Sequence, residues 1–201
     1  MPMRVGVCIS GGGSNLEALI RALGPGAPAE VVLVLSNTPQ AGGLVRARRC
    51  GVATRVLADH RDGAEWLRHL EEARVDLVVL AGFLKLVPAA VIAKYRGRII
   101  NIHPALLPEF GGAGMYGRRV HEAVLAAGRR ESGATVHLVD EVYDRGTILA
   151  QARVPVLPDD TPEQLGARVL DIEHQLLPAV VLAAARAGHP VPLQFAQEPR
   201  G

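Results

Sequence analysis

The chain has 201 residues, 49% hydrophobic and 21% charged, enough to bury a substantial core and unlike a disordered tail. Its 22 basic and 20 acidic residues leave a net charge of +2, which excludes a polyanion binder held by bulk charge but not a local phosphate site. Cys8 and Cys50 are too few for a disulfide framework or a multi-thiolate metal centre, and the longest apolar runs, such as residues 179–185, are too short to cross a bilayer.

The N-terminus carries no signal-peptide pattern, so a cytoplasmic location is expected. Residues 4–10 (Arg-Val-Gly-Val-Cys-Ile-Ser) read as a buried strand. A glycine turn at 11–14 leads into a helix over 15–23, with Leu16, Leu19, Ile20 and Leu23 at helical spacing. Residues 31–35 form a second apolar strand that ends at Ser36-Asn37-Thr38-Pro39. A helix over 43–50, a short strand over 53–57 and a polar-faced helix over 62–74 follow. Residues 77–80 and 99–102 are apolar strands, separated by a helix that Pro88 opens and that reaches Tyr95. A Gly/Pro-rich loop over 104–117 precedes a helix over 119–127 and two β stretches, 134–139 and 147–156, suited to antiparallel pairing. Thr161 as cap and Pro162 in the first turn start a last helix reaching 187, and the tail from Gly188 is expected to be loosely held. Apolar strands alternating with helices predict an α/β fold: a Rossmann-like, mostly parallel sheet with helices on both faces. The C-terminal part adds antiparallel strands and the long helix, within one domain over 1–201.

The turn Ser10-Gly-Gly-Gly-Ser-Asn15 lies between the first strand and the first helix, where backbone N–H groups can meet an anion. Leu16 occupies the last position of a dinucleotide fingerprint, no acidic residue ends the second strand, and there is no Gly-Lys-Ser/Thr. The pattern favours a mononucleotide-like phosphate, with a bare strand-to-helix turn as the alternative.

Asn101-Ile102-His103-Pro104 ends a strand, and the period of two puts Asn101 and His103 on one side. An amide donor beside an imidazole suits a carbonyl that becomes an oxyanion under attack. Of the other histidines, His60, His69 and His189 read as surface residues, His121 and His174 as helical, and His137 as a strand residue. No ligand pair sits on one helix face, so a metal site is not expected. Asp140 and Asp144 flank a turn between the two later β stretches. Either both are solvated or one faces His103 and favours its imidazolium form.

Taken together, Gly13-Ser14-Asn15, Leu80-Ala81-Gly82-Phe83, Asn101-Ile-His-Pro-Ala-Leu-Leu-Pro108, and Val136-His137 with Asp144 seven residues on resemble the phosphoribosylglycinamide formyltransferase family over about residues 3–187. The resemblance implies transfer of a formyl group from N10-formyltetrahydrofolate to the amine of glycinamide ribonucleotide in purine synthesis, without a metal. It implies His103 as proton donor, Asn101 as oxyanion stabiliser and Asp144 as the carboxylate that raises the histidine pKa. Gly12, Gly13, Ser14, Asn15 and Pro104 would meet the ribonucleotide, together with Leu170, Asp171, Ile172 and Glu173, the last on the ribose hydroxyls. Phe83, Leu84, Lys85, Leu86 and Val87 would hold the folate, with Asn101, Val139, Asp140, Glu141, Val142, Tyr143 and Asp144, and Arg61 would reach its glutamyl tail. Residues 1–100 would then be the phosphate-binding half, 101–187 the catalytic and folate-binding half, and 188–201 a tail. The partners are small molecules, not nucleic acid or membrane, with a homodimer left open. Lys85 stands where the family often has arginine, Arg145 where a small residue is frequent, and the 109–119 loop is longer than in many members. The alternatives are a formyltetrahydrofolate hydrolase and a non-catalytic folate- or nucleotide-binding domain. A methionyl-tRNA formyltransferase would need a further C-terminal domain, and a deformylase with a regulatory domain would need residues before the first strand.

Overall fold

The computed structural model describes residues 1–196. One seven-stranded sheet runs through it in the order β3-β2-β1-β4-β5-β6-β7. The strands are β1 (Met3–Ile9), β2 (Ala29–Ser36), β3 (Ala53–Val56), β4 (Leu77–Leu80), β5 (Ile99–His103), β6 (Glu131–Leu138) and β7 (Ile148–Pro155). The first five are mutually parallel; β6 runs antiparallel to β5, and β7 antiparallel to β6. The helices are α1 (Ser14–Ala22), α2 (Gly42–Arg49), α3 (Gly63–Glu72), α4 (Ala89–Lys94), α5 (Arg118–Ala126) and α6 (Pro162–Ala187).

The central strands are apolar on both faces because helices cover both. Along β1, Val5, Val7 and Ile9 enter the core shared with α1, α2 and α6, while Cys8 points into the opposite core with Trp66 and Leu70 of α3 and Val91 of α4. Cys8 is fully buried, and burial raises its thiol pKa well above the usual range. Helix starts follow local chemistry. The Asp62 carboxylate accepts from Ala64 and Glu65 N–H groups to open α3. Thr161 and Gln164 form a reciprocal capping box at α6, with Pro162 in its first turn.

The expected architecture is present, with three local differences. β6 begins at Glu131 rather than 134, because the edge-strand partner β7 extends the ladder to Pro155 opposite Glu131. The tail is better held than expected: Leu193 N–H donates to the Leu149 carbonyl at 2.8 Å, and Leu193 and Phe195 pack on the core. Residues 197–201 of that tail lie outside the described residues. His69 is buried rather than at the surface, because α3 turns it inward beside Glu65, 3.8 Å away. Among the described residues no helix is long and apolar enough to cross a membrane.

Candidate active site

The strand order reverses between β1 and β4, and the chain leaves both strands at the same sheet end. In open α/β sheets this is where a crevice forms. The two exits are tied together: Ser10 N–H donates to the Gly82 carbonyl, and Leu84 N–H to Ser10 Oγ, each at 3.0 Å. β5 ends beside them, with Asn101 in register with Leu80 of β4 on one side and His137 of β6 on the other.

A cavity of about 550 Å³ opens there. Asn15, Phe83, Asn101 and His103 line it, facing Gly112, Gly114 to Arg118, His121, Asp144, Leu170 and Glu173. Phe83 is fixed edge-on against Trp66, ring centroids 5.2 Å apart. A smaller hollow adjoins the cavity, lined by Lys85, Leu86, Val87, His137, Val139, Asp140, Val142 and Tyr143.

Three distant segments converge on one carboxylate. Asp144 Oδ2 lies 3.5 Å from His103 Nδ1, and Oδ1 lies 3.4 Å from His137 Nε2. Gly112 N–H donates to Oδ2 at 2.8 Å. Asp144 itself adopts a left-handed backbone, φ 55°, uncommon for a residue with a side chain. His103 Nε2 donates to the Phe110 carbonyl at 2.8 Å. His137 Nδ1 donates to the Leu138 carbonyl at 2.8 Å, which leaves Nε2 to accept from Asn101 Nδ2 at 3.0 Å. One N–H of the Asn101 amide is therefore held and the second is available to a ligand.

Opposing effects act on His103. Asp144 and the Phe110 carbonyl do favour a charged His103, but burial outweighs them, and the pKa of His103 lies below its ordinary value. The balance at His103 therefore leans toward the neutral imidazole. Burial also opposes charge on Asp144, yet the neighbouring His137 and His103 rings and the Gly112 N–H together hold its pKa below the usual carboxylate range.

On the other wall Glu173 is 6% exposed and accepts from Asn15 Nδ2 at 2.6 Å. Burial pushes its pKa up to about 7, against the Asn15 hydrogen bond. Asn15 Oδ1 is buried without a partner.

The residues singled out in the sequence divide as follows. Asn15, Phe83, Leu84, Asn101, His103, Pro104, Tyr143, Asp144, Leu170 and Glu173 face the main cavity. Gly12, Gly13 and Ser14 stand just outside it, one turn before Asn15. Asp171 is exposed and Ile172 lies in the core; on one helix face only positions three or four apart can share the cavity wall. Glu141 is exposed and lines neither hollow, and Arg61 is also outside both, its N–H bound to Asp59. Two histidines at the site were given no role in the sequence reading. His137 entered it as a strand residue and as part of the Val136-His137 motif; its antiparallel pairing opposite Asn101 is what brings it to the site. His121, on α5, lines the cavity; burial and nearby His103 lower its pKa.

A formyl transferase family model matches residues 3–181. The chain belongs to the formyl transferase family. A chloroplastic phosphoribosylglycinamide formyltransferase of Vigna unguiculata is 45% identical over 187 residues, 90% of this chain and 60% of that protein. The chain thus spans less than two thirds of that plant relative. A phosphoribosylglycinamide formyltransferase of Haemophilus influenzae is 37% identical, covering 89% of this chain and 85% of that one. The crystal structure of the Brucella melitensis phosphoribosylglycinamide formyltransferase superposes with a TM-score of 0.83 at 47% identity, covering 92% of this chain and 96% of that one. In this member of the family the Asn101, His103 and Asp144 cluster sits where β5 meets the cavity.

Proposed function

We propose that the protein transfers a formyl group from N10-formyltetrahydrofolate to the amine of glycinamide ribonucleotide, in the cytoplasm. The observation that carries this reading is the convergence of Asn101, His103 and Asp144 at one wall of a cavity of about 550 Å³. The amine is nucleophilic once neutral, so no covalent serine or cysteine is needed. Its attack makes a tetrahedral carbon whose oxygen carries negative charge. The free N–H of Asn101 supports that oxygen, and His103 does so once it exchanges the Phe110 carbonyl for it. The developing anion, together with Asp144, restores the proton affinity that burial takes from His103. Collapse breaks the bond from carbon to N10, which takes up a proton, and the amine proton leaves by way of water beside Asp144. The ribonucleotide would run from the cavity along Asn15 and Glu173, its phosphate on Gly12 to Ser14. The folate would lie toward Leu84 to Val87 and the 139–144 turn.

Release of tetrahydrofolate, followed by absorbance with and without glycinamide ribonucleotide, tests the reading. Release that needs the amine supports it. Release without amine makes the protein a hydrolase, and no release makes it a binding domain. In Asp144→Asn, His103 loses a group that raises its pKa. The rate is expected to fall off at lower pH on the alkaline side than in the parent, and kcat to drop by about 10²-fold or more; an unchanged pH profile would remove Asp144 from the mechanism.

A further inference from the structure

The glycine turn after β1 is gripped from behind by α2. Gly43 N–H donates to the Gly11 carbonyl at 3.1 Å, and Arg46 Nε donates to the Gly12 carbonyl at 2.9 Å. In a trans peptide the N–H lies opposite the carbonyl of the same unit. Two carbonyls drawn toward α2 therefore turn the N–H groups of Gly12 and Gly13 away from it. Among the described residues these N–H groups, and that of Ser14, have no protein partner, and α1 has no side-chain cap.

The grip is close. A Cβ on Gly13, whose φ is 75°, would lie 2.6 Å from Gly43 Cα, and one on Gly43 would lie 2.4 Å from Ile9 Cδ1. Gly13 needs glycine, a Cβ on Gly43 would displace Ile9 and press on Gly13 Cα at 3.1 Å, and three successive glycines have no side chain of their own to fix their peptide planes. Hydrogen bonds from outside the turn must do so. Arg46 supplies one, and its NH1 also pairs with Glu17 in the first turn of α1. One guanidinium thus joins the turn, α1 and α2.

We infer that Arg46 is a positioning residue for the phosphate monoester of the acceptor substrate. It holds the Gly12–Gly13 peptide with its N–H outward, while its own Nε and NH1 are occupied by protein groups. The inference rests on the proposed ribonucleotide acceptor. A pre-set donor pair binds an anion more tightly than a turn that must be ordered on binding.

The test compares the acceptor with its dephosphorylated riboside in the parent, Arg46→Met and Arg46→Lys. In Arg46→Met the KM for the phosphorylated acceptor is expected to rise about tenfold, the loss of one charge-assisted hydrogen bond. The kcat, the KM for the formyl donor and the KM for the riboside stay near parental values, and Arg46→Lys recovers part of the loss. Titration with inorganic phosphate, read by the amide resonances of Gly12 and Gly13, should saturate in the parent and weaken in Arg46→Met. An unchanged ratio of the two acceptor KM values overturns the inference. So does an equal loss for both acceptors with a lowered melting temperature, which would make Arg46 structural only. A parent that transfers formyl but does not favour the phosphorylated acceptor removes the phosphate from this turn, and the inference with it. A parent that transfers formyl to neither acceptor overturns the proposed reaction itself.

Discussion

Glu173 and Asn15 show how a single buried pair can link stability to binding. A carboxyl with its pKa pushed up to about 7 by burial is partly protonated near neutrality. The sign follows from the folded value lying above the unfolded one. The folded state is favoured fully below the ordinary carboxyl range, and that advantage is lost as pH rises toward about 7. Glu173→Gln keeps an acceptor for Asn15 Nδ2 and removes the titration. Denaturant unfolding is expected to show the variant more stable than the parent by about 1–3 kcal/mol at pH 8, with the difference shrinking toward pH 5. The same variant should bind the ribonucleotide more weakly, since a carboxylate accepts from two hydroxyls and a carboxamide oxygen is a poorer partner. A stability difference independent of pH would mean that Glu173 does not titrate in this range. At this scale the sequence was informative where a residue type carried its own chemistry. Asn101 and His103, two apart at a strand end, announced a site. His137 did not, because a lone histidine in a strand has no local mark; its contact with Asn101 exists only through the pairing of β6 with β5.

Among the elements, the loop between β5 and α5 does the most positioning. Thr135 and Gln151 hold its first part: Thr135 Oγ1 donates to the Ala105 carbonyl at 2.6 Å and accepts from Leu107 N–H at 3.1 Å, and Gln151 Nε2 reaches the Leu107 carbonyl at 2.9 Å. The loop then lays Phe110 against His103 and Gly112 against Asp144. Gly111 lies between these contacts, and a Cβ there would come 2.5 Å from Leu107 Cδ2 and 3.1 Å from Asp144 Cβ. Gly111→Ala is expected to push the carboxylate away from His103 and lower kcat about tenfold or more, while unfolding free energy falls by about 1–3 kcal/mol. Wild-type kcat in that variant would show that the carboxylate tolerates displacement. The helices and the apolar strands were legible because periodicity and caps are local. The meeting of the loop with Asp144 was not, since residues 111 and 144 approach only after the β6–β7 hairpin has formed.

For the whole molecule, the parallel part was readable from strands without polar alternation, and the change of direction from the long β stretches after the glycine loop. What escaped was the boundary of the sheet. β7 is an edge strand, and exposed edges invite pairing with other chains. The segment 190–196 lies along it, bonded from Leu193 to Leu149, with Leu193 and Phe195 on the core. Truncation after Gly188 should lower unfolding free energy by about 2–4 kcal/mol, from two apolar side chains withdrawn from the core. It should also raise concentration-dependent association in sedimentation, with little change in KM. A truncated chain as stable as the parent would show that the segment contributes nothing. The reversal of direction at β5 also separates two design problems. The glycine turn is set by the opening βαβ crossovers, whereas the Asp144 carboxylate hangs from a hairpin tip whose length can vary without disturbing those crossovers. Insertions at residues 139–143 would re-aim the carboxylate and reshape the neighbouring hollow together, while the glycine turn between β1 and α1 stayed as it was.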